Sequence, residues 1–191
     1  INKYQFGIFF DNVCAGVVVY GTDYAENLGH WDKYGFTGKI LLLNRGACVH
    51  WAHPHSASKL ISQSMKMLPK KYEVITATVD DLAGEIGTIY QACNFYYIGS
   101  MRDANPKINS KKGDRCGWLI NNKLYGSRAM RSKFGTTKIE IIKQAHPDVK
   151  KVKQNSKGRY FYFRGTKTQN KKHLKSISHL IKTYPKRNYT K

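Results

Sequence analysis

The sequence predicts an α+β protein of mixed α/β character, with a central mixed sheet flanked by helices. Short runs rich in β-branched and aromatic residues alternate with helical patterns over the first hundred residues. No internal repeat or low-complexity linker interrupts the 191 residues, of which 41% are hydrophobic and 13% aromatic. We therefore predict one domain over residues 1–191, with a packed core.

The first half of the chain supplies most of the predicted strands. Residues 6–10 and 13–20 are rich in β-branched, aromatic and small residues, and the second run ends at Gly21. Residues 38–44 contain four consecutive aliphatic side chains, which is typical of a strand covered on both faces. Residues 72–79 and 95–98 complete the set of strands, and a loop is expected from 45 to about 55.

Two helices are predicted between these strands. In the first, Ser56 and Ser58 are candidate capping residues, and apolar side chains recur at helical spacing until Pro69 ends the helix. The second is short and covers residues 87–93.

The second half of the chain has fewer apolar runs. Residues 113–122 and 125–135 predict a loop, a short strand and a short helix. Residues 159–165 predict a strand, and residues 168–181 predict a lysine-rich helix.

The charge is concentrated in the C-terminal half. Residues 1–100 hold 8 Lys and Arg against 8 Asp and Glu, whereas residues 101–191 hold 25 against 4, so this half carries the whole net charge of +21. A one-sided positive field attracts polyanions, and nucleic acid releases counterions when its phosphates are neutralised. We therefore expect a nucleic-acid partner, with a near-neutral core in residues 1–100 and a basic C-terminal extension in residues 101–191 that is folded onto it.

Several other classes of protein are disfavoured. The sequence has no apolar run of membrane-spanning length and no secretory signal pattern, which predicts a soluble protein of the cytoplasm. A membrane surface is a weaker alternative partner, because the basic half lacks one long amphipathic helix. The four cysteines form no CxxC pair, so neither a disulfide framework nor a zinc ribbon is predicted.

A set of short motifs resembles a known family. The block from Gly84 to Gly99, GEIGTIYQACNFYYIG, is similar to the central block of the phage Mom family of DNA modification proteins. The segment around Tyr90 and Phe95 also looks like a helix and strand of the GNAT acyltransferase fold. Further matching elements follow the family's order over about residues 17–187: Leu43-Asn44-Arg45, His55-Ser56-Ala57-Ser58, Ser127-Arg128, Phe134-Gly135-Thr136, residues 159–163 and Tyr184-Pro185-Lys186.

The resemblance implies a GNAT-like fold, with a catalytic core in residues 1–100 and a DNA-binding portion in residues 101–191. It also implies a reaction. Known members attach a carbamoyl-containing group, described as acetamido or methylcarbamoyl, to the N6 amine of adenine in phage DNA, which shields the DNA from restriction. An acetyl-CoA-type donor is implied, and the target adenine in duplex DNA would have to leave the base stack. Two departures are present: Glu85 stands where a histidine is usual, and Thr78-Val79-Asp80 replaces a usual Tyr-Ala-Asp.

Five residues are candidates for the chemistry. Asp80 would bind the adenine amine or accept its proton, and Tyr90 would donate a proton to the leaving group or orient it. Ser58, also a candidate catalytic residue, would hydrogen-bond an acyl oxygen or a cofactor phosphate near a helix start. Arg45, Ser56 and Ser58 are candidate cofactor ligands. The guanidinium group of Arg45 presents several hydrogen-bond donors to oxyanions. An alternative interpretation is that each of these residues has only a structural role, in a turn, in the core, at a helix cap or on the surface.

DNA contacts and a metal site are also considered. Basic side chains in the second half are expected to contact phosphates: Arg128, Arg131, Lys133, Arg159, Lys171 and Lys172. Aromatic side chains that could stack on bases are Trp51, Trp118, Tyr125 and Tyr160. Cys48, His50, His53 and His55 lie close together in sequence and could bind iron or zinc with Asp80, but their spacing matches no standard motif, so no metal is the preferred prediction.

Two other functions stay open at this point. The chain could be a GNAT acyltransferase with RNA or protein as acceptor, because the loop after Leu43 lacks a glycine-rich pyrophosphate motif. It could also be a non-catalytic DNA-binding protein that uses its basic surface alone. The sequence leaves the choice between monomer and dimer open.

Overall fold

The computed structural model describes residues 2–80, 84–100, 116–153 and 157–186. The chain forms two compact units, one from Ile1–Asn105 with Lys157–Lys191 and the other from Pro106–Ser156. The expected boundary at residue 100 differs from this division, because residues 158–163 return to the first unit as an interior strand of its sheet. The predicted mixed α+β class is confirmed.

The described residues of the first unit form a six-stranded mixed sheet and four helices longer than three residues. Its strands lie in the order β1-β2-β3-β4-β9-β5, and all neighbours are antiparallel except β3 and β4. The strands are β1 (Asn2–Phe10), β2 (Val13–Gly21), β3 (Ile40–Cys48), β4 (Val74–Val79), β5 (Tyr96–Ser100) and β9 (Gly158–Phe163). The helices are α1 (Tyr24–Asn27), α2 (Ser56–Met67), α3 (Thr88–Ala92) and α6 (Lys167–Ile177), with 3-10 turns at Asp32–Tyr34 and Ser178–Leu180.

Both faces of this sheet are covered, as the apolar strand patterns predict. Successive side chains of β9 point to opposite faces, so Tyr160 packs with Leu60 and Ile61 of α2 in one core, while Phe161 packs with Trp31 and Ile177 in the other. This two-sided burial explains why the strands are nearly continuous apolar runs. It also fixes which side chains can reach the cleft described below.

Most of the predicted elements are present, with shifted ends. Strand β3 continues to Cys48, although a loop was expected from residue 45, because residues 45–48 pair with β2. The turn between β1 and β2 places Asp11 and Asn12 at φ 46° and 66°, as a two-residue hairpin turn requires.

A buried ion pair lies on the α6 side of the sheet. An Oδ2 atom of Asp23 accepts hydrogen bonds from Arg159 at 2.6 Å and from Thr76 at 2.8 Å, and it also accepts from Trp31 at 3.3 Å. Arg159 is only 6% exposed. The prediction that Arg159 contacts DNA is therefore wrong, because its guanidinium group is held inside the core by Asp23.

The second unit has a small core of its own. Three antiparallel strands lie in the order β7-β6-β8 and pack on two helices around the buried side chains of Trp118, Ile120, Met130, Ile142 and Val149. Its elements are β6 (Cys116–Ile120), β7 (Lys123–Gly126), α4 (Ser127–Phe134), α5 (Ile139–Ala145) and β8 (Lys150–Lys153). The predicted strand and helix correspond to β6 and α4, whereas the lysine-rich β7 and β8 and the short α5 were not predicted.

Candidate active site

A cleft opens where the two parallel strands of the sheet separate. Strands β3 and β4 pair with each other only over Ile40–Leu42 and Val74–Thr76. Beyond these residues, β3 stays paired with β2 and β4 stays paired with β9. The cleft between them has a volume of about 570 Å³. Its described lining residues are Leu43, Asn44, Arg45, Gly46, Thr78, Val79, Gly84, Glu85, Ile86, Gly87, Thr88, Ile89, Tyr90 and Lys157. The facing strand edges and the loop before α3 thus form its walls.

A second, apolar cavity adjoins this cleft. It has a volume of about 190 Å³ and shares Leu43, Gly46, Ile89 and Tyr90 with the cleft. The rest of its described lining consists of Val17, Val18, Ala47, Cys48, Ala57, Leu60 and Ile61. A polar cleft and an apolar cavity therefore lie next to each other, with Tyr90 on the wall of both.

Tyr90 is held at this junction by aromatic packing. Its ring centroid lies 5.6 Å from that of Phe95 and 5.5 Å from that of Tyr160. Burial raises the pKa of the Tyr90 phenol, and the negative charge of Glu85 and the Cys93 thiol raise it further. The phenol is therefore protonated at neutral pH and is suited to donate a proton or a hydrogen bond.

Asp80 lies at the end of β4, next to the cleft. Its carboxylate is 3.8 Å from the Lys157 ammonium group, and its side chain is 15% exposed. Its backbone N–H donates a 2.7 Å hydrogen bond to the Glu85 carboxylate. Val79, Glu85, Lys157 and Tyr90 line the cleft, so Asp80 lies beside the cleft that holds Tyr90 on its wall. The catalytic roles of Asp80 and Tyr90 stay predictions.

The loop before α3 is held by Tyr160. The Tyr160 hydroxyl donates a 2.6 Å hydrogen bond to the Ile86 carbonyl and accepts one of 3.1 Å from Gln91. Gly87 has φ 72°, and a Cβ atom there would lie 2.6 Å from the Tyr160 ring, so only glycine fits this close approach. Tyr160 is fully buried, so the prediction that it stacks on a base is wrong.

Ser56 and Ser58 of α2 lie outside the described linings of the cleft and the cavity. The capping prediction is wrong for both, because the helix begins at Ser56 and its N-cap residue is His55. The Ser58 hydroxyl donates to the His55 carbonyl at 3.0 Å. Ser56 is 3% exposed, and its Oγ atom has no hydrogen-bond partner among the described residues.

Arg45 is placed where a ligand could reach it. It is exposed at the rim of the cleft, and one of its Nη1 hydrogens is donated to the Asn44 carbonyl at 2.7 Å. The remaining guanidinium N–H groups extend the donor surface of the cleft.

The histidines before α2 do not form a metal cluster in the described structure. The rings of His53 and His55 lie 5.3 Å apart, and His53 Nδ1 accepts a 3.2 Å hydrogen bond from the His55 backbone. Among the described residues, no three His, Cys, Asp or Glu side chains come together as metal ligands would. The preference for no metal, and the weaker iron alternative involving His50, both stay predictions.

The other predicted DNA contacts divide into exposed and buried residues. Lys171 and Lys172 are exposed on α6, and Trp51 is 50% exposed. In the second unit, Trp118 is buried in the core, so the prediction that it stacks on bases is wrong, and Tyr125 is half-buried. The basic side chains of that unit's helix α4 are exposed: Arg128, Arg131 and Lys133.

Comparison with known proteins agrees with the motifs. A sequence model of the Mom protein family matches residues 1–186. The chain belongs to the Mom protein family. No curated protein matches it significantly. Membership of the Mom family supports a phage DNA modification protein, and the cleft with Asp80 and Tyr90 lies inside the matched range.

The structure adds residues to this site that the sequence did not single out. Lys157 faces Asp80, and Gln91 fixes the loop through hydrogen bonds to Ile86 and Tyr160. In the sequence, Glu85 stood out only as a departure from the Mom pattern, and in the structure it contacts the Asp80 backbone.

Every helix among the described residues is too short or too polar to span a lipid bilayer.

Proposed function

We propose that this Mom-family chain is an acyltransferase-like enzyme that converts the N6 amine of adenine in DNA to a methylcarbamoyl or acetamido derivative and so protects the DNA from restriction. The observation that carries the proposal is the position of Tyr90, on the wall of both the polar cleft and the apolar cavity, with Asp80 beside the cleft through its contacts to Glu85 and Lys157. This junction would let two molecules meet beside an acid and a base.

The cleft fits an acyl-CoA donor in several respects. The edges of β3 and β4 that face each other beyond Leu42 and Thr76 can pair with the amide groups of an extended ligand. The cavity lined by Leu60, Ile61 and Ile89 suits an apolar acyl or thioether segment, and Arg45 at the rim suits a phosphate. The donor would carry the whole transferred group, including its carbamoyl nitrogen. The bond from N6 to its carbon would form as the bond from that carbon to the donor sulfur breaks, and the donor would leave as the thiol. Ser56 and Ser58 are not assigned a role toward it, because neither is among the described lining residues.

The side chains present can manage the protons of the transfer. The adenine N6 amine is conjugated with the ring and must lose a proton as it forms its new bond. The Asp80 carboxylate would accept that proton, and the Lys157 ammonium group 3.8 Å away would stabilise the carboxylate. The Tyr90 phenol would give a proton to the departing group, since burial favours its protonated form.

DNA is the proposed acceptor because the chain carries a net charge of +21 and belongs to the Mom family. Duplex DNA would bind through exposed basic residues, among them Arg128, Arg131, Lys133, Lys171 and Lys172. The adenine would have to flip out of the duplex to enter the cleft.

Mass spectrometry of nucleosides tests the proposal. DNA from cells that express the folded protein should contain a modified deoxyadenosine, whereas DNA from cells with the Tyr90→Phe variant should not. Only ordinary deoxyadenosine in both samples would overturn it. Label transferred from acyl-CoA to RNA or protein, and not to DNA, would favour a different acceptor. Protection from restriction without any covalent product would favour a DNA-binding protein.

A further inference from the structure

The second unit presents one helix face that the site above does not use. In α4, Met130 is fully buried and Phe134 packs against the same small core, so these two residues mark the inner face. Arg128 and Ser132 are four residues apart and lie on the opposite side of the helix. The outer face of α4 is defined as Ser127, Arg128, Ala129, Arg131 and Ser132, all exposed, and Lys133 is exposed at the edge of this face.

This outer face is positively charged, and apart from its arginines it carries only small side chains. The helix has no acidic residue, and Arg128 and Arg131 are the only large side chains of its outer face, between Ser127, Ala129 and Ser132. A helix with small side chains between two arginines can approach a surface closely while its guanidinium groups reach forward. The face carries no large apolar residue, so insertion into a lipid surface is not favoured.

The rest of the unit reinforces this charge. Residues 116–153 contain nine Lys and Arg residues but only Glu140 and Asp148 as acids. The Asp148 carboxylate is engaged by the backbone N–H of Asn121 at 2.7 Å. Lys133, at the edge of α4, donates a hydrogen bond to the Tyr125 hydroxyl at 3.1 Å. Its ammonium group also lies over the rings of Tyr125 and Phe134, so these contacts hold its charge close to the helix.

We propose that residues 116–153 form a duplex-DNA-binding unit, in which the outer face of α4 enters the major groove. The major groove is wide enough for an α-helix, and arginine can donate two hydrogen bonds to the O6 and N7 atoms of guanine there. Lysines next to the outer face of α4, such as Lys133, then contact the flanking phosphates. The choice of DNA as the partner rests on the proposed function, and the choice of α4 rests on the arrangement of this unit alone.

Binding of the 191-residue chain to a fluorescent DNA duplex of about 20 base pairs tests the inference at several salt concentrations. The R128Q/R131Q variant should bind at least about tenfold more weakly, and its salt slope should fall by about one to two. The K143Q/K150Q variant is the matched control, because it removes two exposed charges of the same unit outside α4. It should lose clearly less affinity than R128Q/R131Q.

A neutral substitution separates groove insertion from long-range attraction. Ser132→Leu adds bulk to the outer face of α4 without changing the charge, so it should weaken binding while the salt slope stays the same. Unchanged binding by Ser132→Leu would overturn the placement of α4 in the groove. Equal losses for the two double variants would also overturn it, and so would unchanged binding by R128Q/R131Q.

The two proposals fail in distinguishable ways. If the parent protein modifies adenine and the α4 variants bind duplex DNA as the parent does, the α4 inference is wrong and the proposed function stands. If adenine stays unmodified while the α4 variants show the expected binding losses, the reverse holds. Circular dichroism melting of each variant confirms that the fold is retained.

Discussion

Asp80 and Glu85 hold each other through two hydrogen bonds. The Asp80 backbone N–H donates to the Glu85 carboxylate at 2.7 Å, and the Glu85 N–H donates to the Asp80 carbonyl at 3.2 Å. These bonds join the end of β4 to the loop that leads into α3. Because Asp80 follows β4 and Tyr90 lies on α3, this pair ties the proposed base to the element that carries the proposed acid.

Loss of either proposed catalytic group should stop modification without preventing DNA binding. Tyr90→Phe and Asp80→Asn each remove one proton transfer, so we expect turnover to fall by about 10² to 10⁴ fold. Nucleoside mass spectrometry measures the product, and duplex binding should change by less than about twofold because neither group adds phosphate contacts. Normal product from both variants would remove these residues from the mechanism.

Glu85→Gln should move the alkaline limit of modification to lower pH. The Glu85 charge helps to raise the pKa of Tyr90, after the larger effect of burial. Removing that charge lowers the pKa, so the phenol loses its proton at lower pH and can no longer donate it. The pH profiles of the parent and the variant are compared with the same duplex. An unchanged alkaline limb would show that Tyr90 is not the titrating donor.

Gly87→Ala and Gly84→Ala form a matched pair for the loop before α3. Both glycines have positive φ, 72° and 71°, so alanine at either position costs about 1–2 kcal/mol of backbone strain. Only at Gly87 would the new Cβ atom meet Tyr160, at 2.6 Å, whereas nothing lies within 4 Å at Gly84. Gly87→Ala should therefore lose more stability and more activity. Denaturant unfolding and product formation measure the two losses, and equal effects would contradict the tight contact with Tyr160.

The buried pair of Asp23 and Arg159 should be essential for stability. Arg159→Met leaves the Asp23 carboxylate buried without its cation, which typically costs about 3–5 kcal/mol of unfolding free energy. Lys157→Gln is the comparison, because it removes an ion pair with a half-exposed lysine and should cost less than about 1 kcal/mol.

A double variant tests the coupling within this buried pair. Asp23→Asn combined with Arg159→Met should lose less than the sum of the two single changes, because both changes remove one shared interaction. Additive losses in urea unfolding would contradict the pairing.

The strand patterns of the first unit were readable because of two-sided burial. Residues 13–20 and 159–165 have few polar side chains, so local composition alone identifies β2 and β9. The same reasoning missed β7 and β8, whose lysine-rich sequences carry no apolar alternation. Their pairing depends on β6 between them, which local patterns cannot reveal.

Arg159 shows the same limit for the site residues. In sequence it is one more cation in a basic half, and only the approach of Asp23, 136 residues away, makes it a buried partner.

Local composition and short motifs were enough to predict the mixed α+β class, the family and the position of the charge. The folded chain was needed to show that β3 and β4 separate and open the cleft, that Glu85 and Lys157 contact Asp80, and that Tyr160 holds the loop before α3. Those contacts join residues distant in the chain, and their geometry follows from the packing of the whole sheet.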